Sequence, residues 1–226
     1  MNAFSAAPAT EAPLTEAQAG LWFAQALDPA NPVFNTGQVI DLRGALDRDA
    51  FAAAVNGAVA EADALALRIR PGPDGAVQAV DEARRPWLEV VDLSAAADPE
   101  AEARAAMARD MATAHAALAV ERLYVLGPER HFWFQRVHHL AVDAFGTDLL
   151  VRRVAALYAG GGGPALAPLS AALAADADYR AGPKRAADAA FWHAELAELP
   201  EVRGLAPGEA RSGHAALRHE IGRAHV

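Results

Sequence analysis

The sequence contains no cysteine. That absence excludes a disulfide framework, a thiolate nucleophile and a cysteine-ligated zinc site. Lysine is almost missing as well: of the 20 basic residues only Lys184 is a lysine. Together with abundant Ala and Gly, this bias points to a GC-rich bacterial coding sequence. Aromatic residues make up 7 % of the chain, so the 53 % hydrophobic fraction, much of it alanine, overstates the bulky core available. No run of about 18 apolar residues occurs, and no membrane span is expected. Residues Met1 to Pro13 lack the basic start and apolar stretch of a signal peptide, so a cytoplasmic location is the expectation. Basic charge is in short supply too, 20 residues against 29 acidic for a net charge of −9. That balance argues against nucleic acid or an anionic membrane as the partner. What remains is 226 residues with a core-forming composition, room for one large domain or two small ones.

Along the chain, Met1 to Pro13 is Ala-, Pro- and Ser-rich and reads as a flexible leader. Thr15 with Gln18 forms a capping box that opens a helix carrying Leu21, Trp22 and Leu27. Asp28-Pro29 closes it. Val33 to Arg43 alternates as a strand, with Val39, Asp41 and Arg43 on one side and Ile40 and Leu42 on the other. Asp47 caps a second helix with Phe51, Val55 and Val59 at helical spacing. Leu65, Leu67 and Ile69 alternate as a half-buried strand, and the turn residues 71–75 return the chain into a strand over Ala76 to Val80. A strand over Trp87 to Leu93 and an Ala-rich helix over Pro99 to Leu118 follow. Arg122 to Leu126 and His131 to Leu140 read as a hairpin about Gly127-Pro128. Phe145 to Tyr158 is a helix with Leu149, Leu150, Val154 and Leu157 inward. Gly160 to Pro164 breaks it, and it lacks the Lys-Ser/Thr of a phosphate loop. Helices near Leu169 to Arg180 and Arg185 to Leu199 complete an α+β pattern with hairpins, which favours a layered α+β domain over a doubly wound sheet.

One segment carries chemistry: Val137-His138-His139-Leu140-Ala141-Val142-Asp143. Neighbours on a strand point to opposite faces, so only one of the two histidines can face a given cavity. The other is placed to bond backbone on the far side. Asp143 lies between the strand end and the next helix, where it can cap that helix and hold the turn. A histidine held at a strand end suits general-base work or orientation of a nucleophile. The plain alternative is two ordinary histidines and a capping aspartate. The diverging histidines and the lack of a nearby third ligand count against a metal site. Ala17-Gln18-Ala19-Gly20-Leu21-Trp22 is a second motif, by itself equally an amphipathic helix. His115, His131, His193, His214 and His219 have no partner spacing and are expected at the surface.

In order and spacing these segments resemble the condensation domain of non-ribosomal peptide synthetases, over roughly residues 14–219. Ala17-Gln18…Leu21-Trp22 resembles the family's first core motif. His138-His139…Asp143 resembles its active-site motif, and Phe191-Trp192 with Leu196 resembles the aromatic helix that follows the first lobe. Arg130 to Gly146 is especially similar to the catechol-siderophore branch. The resemblance implies a chloramphenicol-acetyltransferase-like layered lobe, with the second lobe of a two-lobed domain missing. It implies amide formation between a donor acyl or aryl thioester and an acceptor aminoacyl thioester. Both arrive on phosphopantetheine arms supplied by carrier proteins, so no cofactor is bound. His139 matches the histidine that orients or deprotonates the acceptor amine, and His138 and Asp143 match positions with structural roles. Ala144, Gly146, Arg68, Gln18 and Trp22 match channel or support positions. The implied partners are a donor carrier protein acting in trans and downstream adenylation and carrier domains of the same synthetase. Related acyltransferases using acyl-CoA, epimerisation domains and a non-catalytic carrier-recruiting domain are the alternatives.

Three departures from the family pattern stand out. Ala144 replaces a glycine, which adds strain if that position needs positive φ. Ala66 stands where an arginine is usual, leaving Arg68 as the remaining match for an arginine partner of Asp143. The chain also has about half the family domain's length. The organisation expected is a leader over 1–13, the first lobe over 14–175, a linker and the start of the second lobe over 176–219, and a sequencing or truncation artefact over 220–226.

Overall fold

Local chemistry sets the element boundaries. In the computed structural model, which describes residues 11–113 and 117–198, the capping box at Thr15 is complete. Thr15 Oγ1 accepts from the Gln18 amide at 3.2 Å, and Gln18 Oε1 accepts from the Thr15 amide at 3.0 Å, opening helix α1 (Glu16–Leu27). Leu21 and Trp22 are half-buried, whereas Leu27 is 72 % exposed and the one buried α1 residue is Gln25. Strand β2 (Asn35–Arg43) follows with its alternation intact. Asp47 Oδ1 accepts from the Ala50 amide at 3.0 Å and caps α2 (Arg48–Glu61), which buries Phe51, Val55 and Val59 together with Ala54 and Ala58.

The next strand starts later than the alternation predicts. Leu65 sits in a 3₁₀ turn (Asp63–Ala66), and β3 is Leu67–Gly72. Leu65 is still buried, because the turn packs it under α2, so burial alone could not separate strand from turn. β3 forms a hairpin with β4 (Gly75–Val80), and Gly75 takes a φ of +126° that only glycine adopts readily. The leader is shorter than its composition indicates. Ala12–Pro13 is a short strand, β1, paired with β4, and Glu11 bonds Arg70.

β5 is Leu88–Asp92, and α3 is Pro99–Ala112. α3 ends before the expected Leu118 because side chains take up its last carbonyls. Asn35 Nδ2 donates to the carbonyls of Met111 and Thr113, each at 3.0 Å. The buried Arg136 guanidinium donates to those of Thr113 and Ala117, a cation placed where the helix macrodipole favours one. β6 (Ala119–Gly127) and β7 (Arg130–His138) form the expected hairpin. α4 (Ala144–Tyr158), α5 (Leu169–Ala181) and α6 (Pro183–Glu195) complete the described chain.

The main sheet runs β2-β7-β6-β5, antiparallel except for the parallel β5–β6 pair; β1, β4 and β3 form a second, smaller sheet. The main sheet is covered on both faces. Trp133 and Val137 of β7 pack with α2 and α4, while Phe132 and Phe134 pack with Ala103 and Met107 of α3. Burial on both faces explains why Phe132, Trp133 and Phe134 follow one another in β7 without a polar residue between them. It also buries His131, which is 2 % exposed rather than at the surface. His193 is exposed as expected; His115, His214 and His219 lie outside the described residues. On α4, Leu150 and Val154 are buried, but Leu149 faces solvent.

α5 is bonded to the body of the fold. The Glu16 amide donates to Asp176 Oδ1 at 3.2 Å, and Arg180 donates to the Leu14 carbonyl at 2.7 Å. A boundary at 175/176 falls inside this helix, which is bonded to Leu14 and Glu16 at the start of α1. Phe191 and Trp192 of α6 and Leu196, which caps its C-terminus, are more than half exposed.

Candidate active site

The two histidines diverge for a backbone reason. The His138 amide donates to the Leu118 carbonyl at 2.7 Å on one side, and the His139 amide donates to the Phe34 carbonyl at 2.9 Å on the other. Alternate amides pair with alternate neighbours only while the backbone stays extended, so the side chains leave on opposite faces. After His139 the chain folds tightly, with the Ala141 amide donating to the His138 carbonyl at 2.8 Å.

His138 is buried. Its Nδ1 accepts from the Leu140 amide at 3.1 Å, and its Nε2 lies 3.0 Å from Gln25 Oε1. The Gln25 amide nitrogen is already committed to the carbonyls of Asp28 and Asn31. Gln25 therefore presents only its oxygen, and His138 carries its proton on Nε2 as a neutral imidazole. His139 is half-buried, and its alternation places it on the sheet face of Val137 and Gln135. Among the described residues, no hydrogen bond engages its ring.

Asp143 is the N-cap of α4: its Oδ1 accepts from the Gly146 amide at 2.8 Å, and its carbonyl accepts from Thr147 Oγ1 at 2.9 Å. The carboxylate also sits at the positive end of the α4 dipole. Arg68 does not serve it. Arg68 Nε lies 3.4 Å from Asp81 Oδ2, and no ion pair reaches Asp143 among the described residues. Ala66 is wholly buried in the 3₁₀ turn, a place that fits a methyl group.

Ala144 is the first residue of α4, exposed and helical, a backbone state any residue adopts. The position tolerates alanine without strain. Gly146 has a tighter constraint: a Cβ there would lie 2.7 Å from Val142 Cγ1. Gln18 fastens the site to the rest of the fold. Its Nε2 donates to the Leu140 carbonyl at 3.0 Å, and its amide exchanges bonds of 2.9 and 2.8 Å with the buried Gln78 of β4. Trp22, Gln25, His138 and Leu140 line one cavity of about 220 Å³ with Leu67 and Ile69 of β3.

The fold thus brings Trp22 and His138 to one cavity, ties Gln18 to the neighbouring Leu140 carbonyl, sets Asp143, Ala144 and Gly146 at the start of α4, and leaves Arg68 paired with Asp81. Sequence reasoning missed Gln25 and Gln78. Gln25 had a signal, since it lies seven residues after Gln18 and three after Trp22, on the same helical face. Gln78 had none, because its partner is 60 residues away. Among the described residues, no group of three or more His, Asp or Glu side chains could hold a metal ion.

Residues 8–222 match the Condensation domain family. The chain is 37 % identical over 216 residues to a dimodular nonribosomal peptide synthase of Bacillus subtilis, covering 91 % of this chain and 9 % of that one. It is 30 % identical over 207 residues to enterobactin synthase component F of Escherichia coli, covering 86 % and 16 %, so the siderophore branch is one of several similar relatives. A variant of the starter condensation domain of rhizomide synthetase RzmA, solved in complex with C8-CoA, superposes with a TM-score of 0.80 at 32 % identity, covering 89 % of this chain and 49 % of that one. The fold is therefore the α+β, chloramphenicol-acetyltransferase-like fold of condensation domains. The chain belongs to the condensation-domain family of non-ribosomal peptide synthetases, and it spans about half the length of the solved domains it matches.

Proposed function

We propose that this chain is the first lobe of a condensation domain that joins a donor acyl or aryl thioester to an acceptor aminoacyl thioester. Both substrates are carried on phosphopantetheine arms of carrier proteins. The donor carrier acts in trans, the acceptor belongs to downstream adenylation and carrier domains of the same synthetase, and the setting is cytoplasmic siderophore or peptide biosynthesis.

One observation carries the assignment of roles. Both ring nitrogens of His138 are occupied by Gln25 and Leu140, while the ring of His139 is not hydrogen-bonded among the described residues. His139 is thus the histidine able to meet a substrate. In the reaction the acceptor amine attacks the donor carbonyl, the C–N bond forms and the C–S bond breaks. His139 accepts or steers the ammonium proton, which passes to the departing thiolate. His138 and Asp143 hold the strand end and the α4 turn that present His139. Amine attack on a thioester is not intrinsically difficult, so positioning supplies much of the acceleration. The thiols belong to the partners, in keeping with a chain that contains no cysteine.

The test is amide formation by the full-length synthetase with loaded carrier proteins. His139→Ala should lower the rate by about 10²-fold or more, and unchanged product formation would refute the role given to His139. Carrier binding without any product, in the unmutated protein, would favour a non-catalytic recruiting domain. A second reading rests on the C8-CoA held by the rhizomide starter domain. In this reading the donor to the present chain is an acyl-CoA, and turnover with acyl-CoA but not with an acylated carrier would select it.

A further inference from the structure

The core between the main sheet and helices α2 and α4 contains a carboxyl group with no cation beside it. Glu121 of β6 is 1 % exposed and shares a sheet face with Ala119 and Leu123. Its Oε1 accepts from Gln135 Nε2 and its Oε2 from Trp133 Nε1, each at 2.9 Å. Gln135 is equally buried, and its Oε1 accepts from Gln38 Nε2 at 2.5 Å. The three side chains stand in one row across three strands, Gln38 opposite Gln135 and Gln135 opposite Glu121. All the partners are neutral.

This row has a direction. Gln38 donates to Gln135, which donates to Glu121, an order that suits a carboxylate because both its oxygens accept. A protonated carboxyl must instead donate one O–H. The Trp133 N–H cannot accept it, so the acceptor has to be the Gln135 amide oxygen. Gln135 then turns its NH₂ toward Gln38, which must present its own oxygen. We infer that Gln38, Gln135 and Glu121 form a proton-operated switch, in which one proton gained or lost at Glu121 reverses the hydrogen bonds across β2, β7 and β6. On ionisation the carboxyl O–H breaks and the proton passes to solvent.

The surroundings leave Glu121 as the group that sets the switch. The face of α2 toward it carries Phe51, Val55 and Val59, and that of α4 carries Leu150 and Val154. Charged groups on these helices are engaged or exposed: Glu61 of α2 pairs with Arg153 of α4, Arg48 lies beside Asp92, Asp148 pairs with Arg152, and Asp49 and Asp143 are exposed. On β5, Glu89 pairs with Arg122. Asp41 and Arg43 of β2 fall on the opposite face by alternation. His131 and His139 share the face of Glu121, but each lies four residues along from Gln135, roughly 13 Å away. Burial without a counter-charge pushes Glu121 up to about 7.

In the unfolded chain Glu121 ionises in the ordinary range, near 4.5. Between that point and about 7 the folded protein keeps a proton that the unfolded chain has lost. Stability from this group is therefore fully present below the lower value and declines as pH rises toward about 7, beyond which it is level. The unfolding constant of the 226-residue chain, divided by that of Glu121→Gln, should rise by roughly tenfold per pH unit across this window. The amide of the variant donates to Gln135 at every pH and holds the reversed direction. A ratio that does not change with pH would overturn the proposal. Infrared difference spectroscopy decides independently, even if the variant does not fold. A carboxylic-acid carbonyl band in the unmutated protein that disappears near pH 7 supports the switch. Absence of any such band above about pH 5, where ordinary carboxyls have ionised, sinks it.

Discussion

His138 and His139 are adjacent in sequence and opposite in circumstance. Both ring nitrogens of His138 are consumed by Leu140 and Gln25. Replacing it by alanine would leave a buried amide and a buried carbonyl oxygen without partners, and the variant should lose about 1–3 kcal/mol of unfolding free energy in a denaturant titration. Asp143 separates capping from charge. Its visible bond is to the Gly146 amide, so Asp143→Ala should cost about 1 kcal/mol and Asp143→Asn, which still caps, only a few tenths. A loss in Asp143→Asn as large as that in Asp143→Ala would mean that the charge, rather than the cap, is what the fold uses. The strand alternation that separates the histidines was readable from the chain. That Gln25 occupies His138 was not, because 113 residues separate them.

Elements were most readable where the chemistry is local. Thr15 with Gln18, and Asp47 with Ala50, are contacts over three residues, and both helix starts fell where the caps place them. Boundaries decided by distant groups were misplaced. α3 stops at Ala112 because Asn35 and Arg136 take the carbonyls beyond it, and neither residue is near in sequence. The first turn of α4 shows a constraint that propensity would invert. Alanine is ordinarily better than glycine inside a helix by about 1 kcal/mol. At Gly146, however, a methyl group meets the stiff, β-branched Val142. Gly146→Ala should therefore destabilise by about 1–3 kcal/mol, read from the thermal or denaturant midpoint. Ala144→Gly, one turn edge away and exposed, should change stability by less than about 1 kcal/mol.

At the scale of the whole molecule, the chain spans about half of a solved condensation domain. Phe23 and Leu27 of α1, Phe145 of α4, Phe191 and Trp192 of α6, and Leu196 at the end of α6 are exposed apolar side chains. The 226-residue chain by itself should give little or no amide product, and a chain extended to the length of the solved relatives should restore it; measurable condensation by the shorter chain would contradict this. Among the described residues, no helix is long and apolar enough to cross a membrane. The sequence by itself determined the absent thiols, the order of motifs, the helix caps and the alternation that sends His138 and His139 apart. Each depends on composition or on neighbours a few residues away. Only the tertiary structure decided which histidine is occupied, that Arg68 serves Asp81 rather than Asp143, and that Glu121, Gln135 and Gln38 meet in one row. Those outcomes depend on strand register and on packing between distant segments, which local chemistry does not specify.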